Sequence, residues 1–316
     1  MNLIETRRHP LKFYATLAFG FLFLFALGSF MIFIGIEKES NVQSESKKYI
    51  MAIFGVLVCL LAFWMVYSYW KNSPKITVDK YNLKIGNETF RLNSIKDVIL
   101  TGKMPFRFII NFPMEGTAIL FNDGRDIILF DDMYSNSYEV KSFLEQVIIN
   151  KQEFKINTSK KINSNEPRFE NSEIFKGNQF TSLRGISLWG LIGFFTILFL
   201  VKETNLKLGA IIFFSVFGTF WVVLHSWFMH YFELTKKFLI VRNHIFVWKM
   251  KIYDISDIKE IVFETQGKQP NCMRVITNDF KNKLYPAGTL KDKTWLEMKK
   301  KLESKGIQVR NECIYE

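Results

Sequence analysis

Four histidines and three cysteines are the side chains of this chain best suited to ligate a metal ion or to act as nucleophiles. A metal site needs several such ligands at fixed spacing, and a reactive cysteine needs a neighbour that lowers the pKa of its thiol. His225 and His230 are five positions apart, so they do not share one face of a helix. Cys59 lies in an apolar run, and no activating motif surrounds Cys272 or Cys313. The sequence therefore predicts no metal, no cofactor and no catalytic residue.

Basic side chains offer a second kind of chemistry, the binding of anionic groups. Residues 72–150 contain nine Lys and Arg against ten Asp and Glu, whereas residues 230–316 contain seventeen against eleven. A cation held near an anionic leaflet gains on the order of 1 kcal/mol. The alternative is an ordinary solvated basic face. The hypothesis from the sequence is a site for anionic lipid or a partner protein, formed by Lys236, Lys237, Arg242, Lys249 and Lys251.

Four apolar segments separate the polar parts of the chain. They are 24, 20, 17 and 21 residues long and contain no Asp, Glu, Lys or Arg: Phe13–Ile36, Ile50–Tyr69, Gly185–Val201 and Leu208–Phe228. About 20 apolar residues are needed to cross a hydrocarbon core of about 30 Å. Tyr and Trp cluster near the segment ends, as they do at membrane interfaces. The sequence therefore predicts four transmembrane helices in two hairpins.

Two details qualify these segments. Arg7 and Arg8 precede the first one, which gives it an alternative interpretation as a signal peptide, but its apolar run is longer than that of a typical signal and favours a retained helix. Gly190 and Gly193 lie in the third segment, where small residues allow two helices to approach closely. We therefore predict that these two glycines form a helix-packing surface.

Lys and Arg are distributed unequally about the four segments. Twelve lie on the side of the two termini, and five lie near the short connectors Glu37–Tyr49 and Lys202–Lys207. Cytoplasmic loops of membrane proteins carry the excess of Lys and Arg. The distribution predicts a multi-pass protein of the cell membrane with both termini and both large polar segments in the cytoplasm. The inverted topology stays open, because some of these charges belong to folded domains.

The polar segments after the two predicted hairpins repeat one pattern about 156 residues apart. Ile76–Ile85 and Phe232–Val241 each alternate apolar and polar residues around a turn, which predicts two short strands. Asp123-Gly124 predicts the tip of a hairpin, and Val275–Leu284 is its counterpart. The second copy has an added strand pair over His244–Tyr253. An amphipathic helix closes each copy, with apolar positions Val140, Phe143, Leu144 and Val147 in the first and Trp295, Met298 and Leu302 in the second.

A transmembrane hairpin followed by six or seven strands and one terminal helix resembles the bacterial pleckstrin-homology-like (PH-like) membrane proteins. The resemblance rests on Ile76–Leu100 with Ile119–Ile149, and on Phe232–Val262 with Val275–Leu302. It implies an α+β membrane protein in which each of two hairpins is followed by a PH-like β-barrel or curled sheet capped by a C-terminal helix. The spacing Lys236-Lys237-x4-Arg242 also resembles the phosphate-binding turn of lipid-binding pleckstrin-homology domains.

These patterns predict five segments: a first hairpin (1–71), a first PH-like domain (72–150), a linker (151–184), a second hairpin (185–229) and a second PH-like domain (230–316). The resemblance implies a non-enzymatic binding or docking module. Its expected partners are the lipid bilayer and either anionic headgroups or a protein or peptide, and no nucleic acid. The alternative function is an accessory or immunity-like membrane factor that stabilises a larger complex through its helices.

Overall fold

The computed structural model describes residues 3–37, 45–155, 172–201, 208–267 and 269–315. The chain divides into two compact units, Met1–Asn157 (unit 1) and Thr158–Glu316 (unit 2). The predicted connector Lys202–Lys207 lies outside the described residues, as do residues 38–44 of the other connector and residues 156–171 of the predicted linker.

Within these ranges the chain forms six α-helices and sixteen β-strands. The helices are α1 (Thr16–Glu37), α2 (Glu45–Lys71), α3 (Ser137–Phe143), α4 (Leu183–Val201), α5 (Leu208–Trp227) and α6 (Asp292–Ser304). The strands of unit 1 are β1 (Ile4–Glu5), β2 (Ile76–Val78), β3 (Asn82–Ile85), β4 (Glu88–Arg91), β5 (Ile95–Ile99), β6 (Lys103–Phe106), β7 (Phe112–Phe121) and β8 (Asp126–Phe130). Those of unit 2 are β9 (Glu173–Phe175), β10 (His230–Leu234), β11 (Phe238–Asn243), β12 (Met250–Asp254), β13 (Ile258–Glu264), β14 (Cys272–Thr277), β15 (Asn282–Pro286) and β16 (Gln308–Asn311).

Helices α1 and α2 form an antiparallel hairpin whose backbones lie unusually close. A Cβ atom at Gly28 would lie 2.7 Å from the carbonyl oxygen of Gly55, and one at Gly35 would lie 2.8 Å from the backbone nitrogen of Ala52. Gly28 and Gly35 are seven residues apart, about two helical turns, so they share one face of α1. Because glycine has no side chain, α2 can occupy the space that a side chain would take.

The strand before this hairpin and the strand after it are neighbours in one sheet. β1 pairs antiparallel with β2, with Ile4 opposite Val78, and the sheet continues in the order β1-β2-β3-β4. The guanidinium of Arg8 strengthens the junction, because it donates to the carbonyl oxygen of Ser73 at 2.8 and 3.0 Å and stacks 3.9 Å from the ring of Trp70. The chain therefore enters and leaves the helical hairpin at the same end, where β1 and β2 pair.

The second sheet of unit 1 is built around the long strand β7, which pairs with β5, β6 and β8. The predicted hairpin around Asp123-Gly124 is the β7–β8 connection, and Gly124 adopts a positive φ of 85° there. Val140 and Phe143 of α3 and the following Leu144 are fully buried in the core of this unit. The terminal helix therefore covers the sheet, as its apolar spacing predicted.

Unit 2 repeats this order of elements. β9 precedes the helices α4 and α5 and pairs with β10, which follows them, in a sheet of order β12-β11-β10-β9. A second sheet has the order β15-β14-β13-β16, and Trp295, Met298 and Leu302 of α6 are fully buried against the core. β16 follows α6 and pairs parallel with β13, so in unit 2 the chain returns to the sheet after its helix.

The expectation of four transmembrane helices is wrong. Among the described residues two helices are long and apolar enough to cross a membrane, Pro10–Ile36 and Tyr49–Lys71. The apolar stretches of α4 and α5, Leu183–Leu198 and Ile211–Trp227, are shorter. Counted over the described side chains alone, these two stretches reach about 24 to 26 Å at 1.5 Å per residue, against a hydrocarbon thickness of about 30 Å.

The expected single curled sheet in each domain is also wrong. Each unit contains two separate four-stranded sheets, so the fold is a mixed α+β architecture with several sheets. The added strand pair expected over His244–Tyr253 is one strand, β12, preceded by the loop 244–249. The sequence Ile245-Phe246-Val247-Trp248 has strand-like composition, but its residues have no ladder partner among the described strands.

Candidate functional site

The five basic residues predicted to bind anionic groups fall into two places in unit 2. Lys236 and Lys237 are exposed in the turn between β10 and β11, where the Thr235 hydroxyl oxygen accepts from the backbone nitrogens of Lys237 and Phe238 at 3.2 and 2.8 Å. Arg242 lies five residues after Lys237, which is about 17 Å along an extended strand. The turn and the far end of the strands therefore form two separate groups.

The second group lies where α5 passes into the first sheet. Arg242 is opposite both Tyr231 and Met250 in the ladder, and its guanidinium forms a 2.9 Å ion pair with Glu233. Lys251 follows on β12 with its side chain exposed. The ammonium of Lys249 lies 5.0 Å from the ring centroid of Trp227, the last residue of α5. Lys249 and Lys251 are thus the members of this group that present a charge to solvent.

The loop 244–249, here called the β11–β12 loop, carries exposed apolar side chains beside these lysines. Val247 is 69% exposed and Trp248 is 73% exposed. The loop is held at the end of α5, because the backbone nitrogen of His244 donates to the carbonyl oxygen of Met229 at 3.0 Å and the Asn243 side chain donates to that of Ser226 at 2.7 Å. The arrangement combines an exposed aromatic ring with cations at a helix end, which is the composition of membrane-interface anchors.

Gly190 and Gly193 are not at a helix contact within the described residues. A Cβ atom at either position would meet no described atom within 4 Å. Helices α4 and α5 instead contact through larger side chains: the Trp221 indole donates to the carbonyl oxygen of Ser187 at 3.2 Å, and the rings of Phe195 and Phe214 lie 5.0 Å apart. A packing role for these glycines against another molecule stays a prediction.

The described histidines lie in separate structural surroundings. His9 precedes α1, and its Nδ1 accepts from the backbone nitrogens of Leu11 and Lys12. Burial, with a smaller effect of Lys176, lowers the pKa of His244 to about 4, and burial lowers the pKa of His230 as well. Among the described residues, no group of three or more His, Cys, Asp or Glu could hold a metal ion.

Each unit contains a buried pair of oppositely charged side chains. In unit 1 the ammonium of Lys141 lies 2.7 Å from each carboxylate oxygen of Asp131, and both side chains are 1% exposed. In unit 2 the guanidinium of Arg274 donates to one oxygen of Glu264 at 2.8 and 3.1 Å and to the Asn282 side chain at 3.0 Å. These pairs neutralise buried charge inside the sheets.

A groove in unit 1 was not predicted from the sequence. It lies between α2 and the connection from β6 to β7, residues 107–111, here called the β6–β7 loop. The groove has a volume of about 750 Å³ and an apolar lining that includes Leu57, Leu60, Leu61, Trp64, Tyr67 and Ile109. The apolar run Phe108-Ile109-Ile110, bounded by Arg107 and Asn111, is a signal for this surface in the sequence. Its composition is also typical of a strand, so it does not indicate a groove by itself.

A smaller and more polar cavity lies beside the C-terminal end of α2. Its volume is about 230 Å³, and Lys71 and Arg107 are among the residues that line it, together with Asp126. The groove and the cavity share the β6–β7 loop, because Ile109 lines the first and Arg107 lines the second. Unit 1 therefore places an apolar surface and two cations side by side at one helix end.

Comparison of the sequence with models of known protein families and with curated proteins gives no match in either case.

Proposed function

We propose that this chain is a non-enzymatic integral membrane protein, held in the cell membrane by α1 and α2, whose β-rich units are cytoplasmic docking modules. Unit 2 docks on the anionic leaflet through Lys249, Lys251 and Trp248. Each unit is a PH-like domain in this proposal, and the two units arose by duplication of a hairpin and its following sheets. The shared order of elements supports the duplication, because an edge strand precedes a pair of apolar helices in both units.

The geometry of the α1–α2 hairpin supports the membrane anchor. Its two helices are long and apolar enough to span a bilayer, and β1 and β2 at its two ends pair with each other. A folded domain is thus joined to both ends of the hairpin with no flexible tether. Arg7, Arg8, Lys12, Lys71 and Lys75 lie at these ends, which favours a cytoplasmic location for the sheets.

The observation that carries the docking function is the exposed β11–β12 loop. Large apolar side chains at a loop tip cost solvation free energy unless a partner covers them. Here Val247 and Trp248 stand next to Lys249 and Lys251, so the surface suits a partner that is apolar beneath a negatively charged layer. An anionic leaflet has that chemistry.

Hydrogen exchange on the full chain tests this docking. The chain is placed in nanodiscs of phosphatidylglycerol and phosphatidylcholine, or of phosphatidylcholine alone. We expect the amides of residues 244–251 to exchange several-fold more slowly with the anionic lipid, and the double variant Lys249→Gln, Lys251→Gln to lose this difference. The matched control Lys236→Gln, Lys237→Gln removes the same charge at the opposite end of the strands and should keep it. Equal exchange in the two lipids would refute the docking.

Thiol labelling in intact cells tests the cytoplasmic location. Cys272 is fully buried and is a poor reporter, so an exposed position such as Tyr81→Cys is needed, in a chain with Cys59→Ala and Cys313→Ser. A membrane-impermeant maleimide should label this position only after the cells are permeabilised. Efficient labelling of intact cells would place unit 1 outside.

A second candidate function, the accessory or immunity-like factor, is favoured by the open glycine positions on α4. Another protein's helix could approach the backbone at Gly190 and Gly193. Membrane partners that co-purify in mild detergent should then be lost in the variant Gly190→Leu, Gly193→Leu and retained in the wild-type chain.

A further inference from the structure

The β6–β7 loop of unit 1 runs along α2 instead of away from it. The carbonyl oxygen of Arg107 accepts from the Ser68 hydroxyl at 3.2 Å and from the Asn72 side-chain amide at 2.9 Å. These bonds fix the start of the loop against the last turn of α2. The next residues then pass beside the apolar part of the helix, where Ile109 lines the groove with Trp64 and Leu60.

The tip of this loop exposes apolar side chains that the core of unit 1 does not use. Ile109 is 65% exposed and Ile110 is 74% exposed, whereas Phe108 turns inward and packs against the core. Two adjacent isoleucines exposed to water have an unfavourable solvation free energy, which burial against an apolar partner would remove. If α2 crosses the bilayer as proposed above, its Trp64 and Tyr67 lie at the interface and the loop tip lies in the acyl region.

The polar end of the same arrangement is cationic. Lys71 and Arg107 are both exposed beside the smaller cavity, and neither forms an ion pair with a described carboxylate at 4.0 Å or less. Asp126 also lines this cavity, so the local charge is two cations against one carboxylate. The excess positive charge is complementary to one phosphate group, and Asn72 adds an amide close by.

We propose that unit 1 holds one anionic glycerophospholipid at this place. One acyl chain lies in the groove between α2 and the β6–β7 loop, and the phosphate lies between Lys71 and Arg107. The proposal rests on the membrane anchor proposed for α1 and α2, and it assigns a lipid site in unit 1 distinct from the leaflet docking of unit 2.

Native mass spectrometry of the detergent-solubilised full chain tests this site. The probe is phosphatidylglycerol, compared with phosphatidylcholine of the same acyl composition. We expect preferential retention of one phosphatidylglycerol, and a drop of about fivefold or more in the variant Lys71→Gln, Arg107→Gln. The matched control Lys80→Gln, Arg91→Gln makes the same charge change on exposed residues at the other end of β2 and should retain the lipid.

A second variant tests the acyl groove separately from the headgroup. Ile109→Asn with Ile110→Asn makes the loop tip polar without touching the core, and it should lower retention of both lipids. Equal retention of the two lipids by the wild-type chain, or no loss in either variant, would overturn the site. Release of the wild-type chain from membranes by alkaline carbonate would instead refute the membrane anchor. A chain that resists carbonate but retains no lipid would overturn this inference alone.

Discussion

Units 1 and 2 share an order of helices and strands, yet they form their exposed apolar loops from different connections. In unit 1 the loop joins β6 to β7, and in unit 2 it joins β11 to β12. The connection of unit 1 that corresponds to the β11–β12 loop is a short turn between β3 and β4 at Gly86-Asn87. In unit 2 the residues between β13 and β14, 265–271, are polar or are Gly and Pro. Both apolar loops begin beside the end of the second helix of their unit, where Ser68 donates to the Arg107 carbonyl in unit 1 and Asn243 donates to the Ser226 carbonyl in unit 2. Both units therefore have an exposed apolar surface beside the end of their second helix. The loop that forms this surface connects different strands in the two units.

The helical hairpins differ in the same way. In unit 1 glycines bring the backbones of α1 and α2 together, whereas in unit 2 aromatic side chains make the contacts between α4 and α5. The buried ion pairs also occupy different places: Asp131, directly after β8, pairs with Lys141 of α3, whereas Glu264 and Arg274 lie on the neighbouring strands β13 and β14. The comparison makes three predictions on how each unit responds to change.

The ion pairs should give the largest effects, each confined to its own unit. Lys141→Met leaves the buried carboxylate of Asp131 without its cation, and Arg274→Met does the same to Glu264. Removing one partner of a buried pair costs about 3–5 kcal/mol. Hydrogen exchange resolved by peptide should show faster opening of β8 and α3 in the first variant and of β13 and β14 in the second. Loss of protection in both units from one substitution would show that they do not fold separately.

The glycine contact should give the next effect and should distinguish the two hairpins. Gly28→Leu drives a side chain into Gly55 and Cys59, and overpacking of this kind costs about 1–3 kcal/mol. The matched variant Gly190→Leu adds the same side chain where no described atom lies within 4 Å. Thermal unfolding in detergent should show a lower Tm for the first variant and an unchanged one for the second. Equal Tm values would mean that α1 and α2 separate in detergent.

The smallest effect should be a dependence of unit 2 on mild acid. The pKa of folded His244 is about 4, below its ordinary value of 6.5, so the unfolded chain binds the proton more readily. The contribution of His244 to the stability of unit 2 is therefore present above pH 6.5 and is lost as the pH falls towards 4. Between pH 7 and 5 the protection of β10 and β11 should drop by up to about twentyfold, once corrected for intrinsic exchange. His244→Gln should reduce this drop. An equal drop in unit 1, whose histidine is His9, would point to carboxylates instead.

Local signals in the sequence predicted local structure well. Alternating apolar residues located β2 with β3 and β10 with β11, and Asp123-Gly124 located a hairpin, because each signal lies within ten residues of its partner. The edge strands β1 and β9 were missed. They are two and three residues long, too short for a period, and they pair with strands that follow more than 50 residues later. Pairs this far apart in the sequence leave no local signal.

The candidate sites were predicted less well, because they depend on contacts between distant parts of the chain. Counting apolar residues gave four spans, although two of the helices have shorter apolar stretches. Gly190 and Gly193 fitted a packing pattern, but the close contact is at Gly28, Gly35 and Gly55. Glycine spacing alone does not say which face meets a neighbour. The groove of unit 1 depends on Arg107 meeting Ser68 and Asn72, which are 35 to 39 positions away.

The pairing of β1 with β2 has a consequence for biosynthesis. Ile4 precedes both helices of the hairpin, but its ladder partner Val78 emerges only after both helices have been translated. Ile4 and Glu5 must therefore stay accessible while α1 and α2 are inserted, and the first sheet closes afterwards. A proteolytic cut within α1 would remove this edge strand together with Arg8 and its contact with Trp70. Such a cut would leave unit 1 without the strand that completes its first sheet.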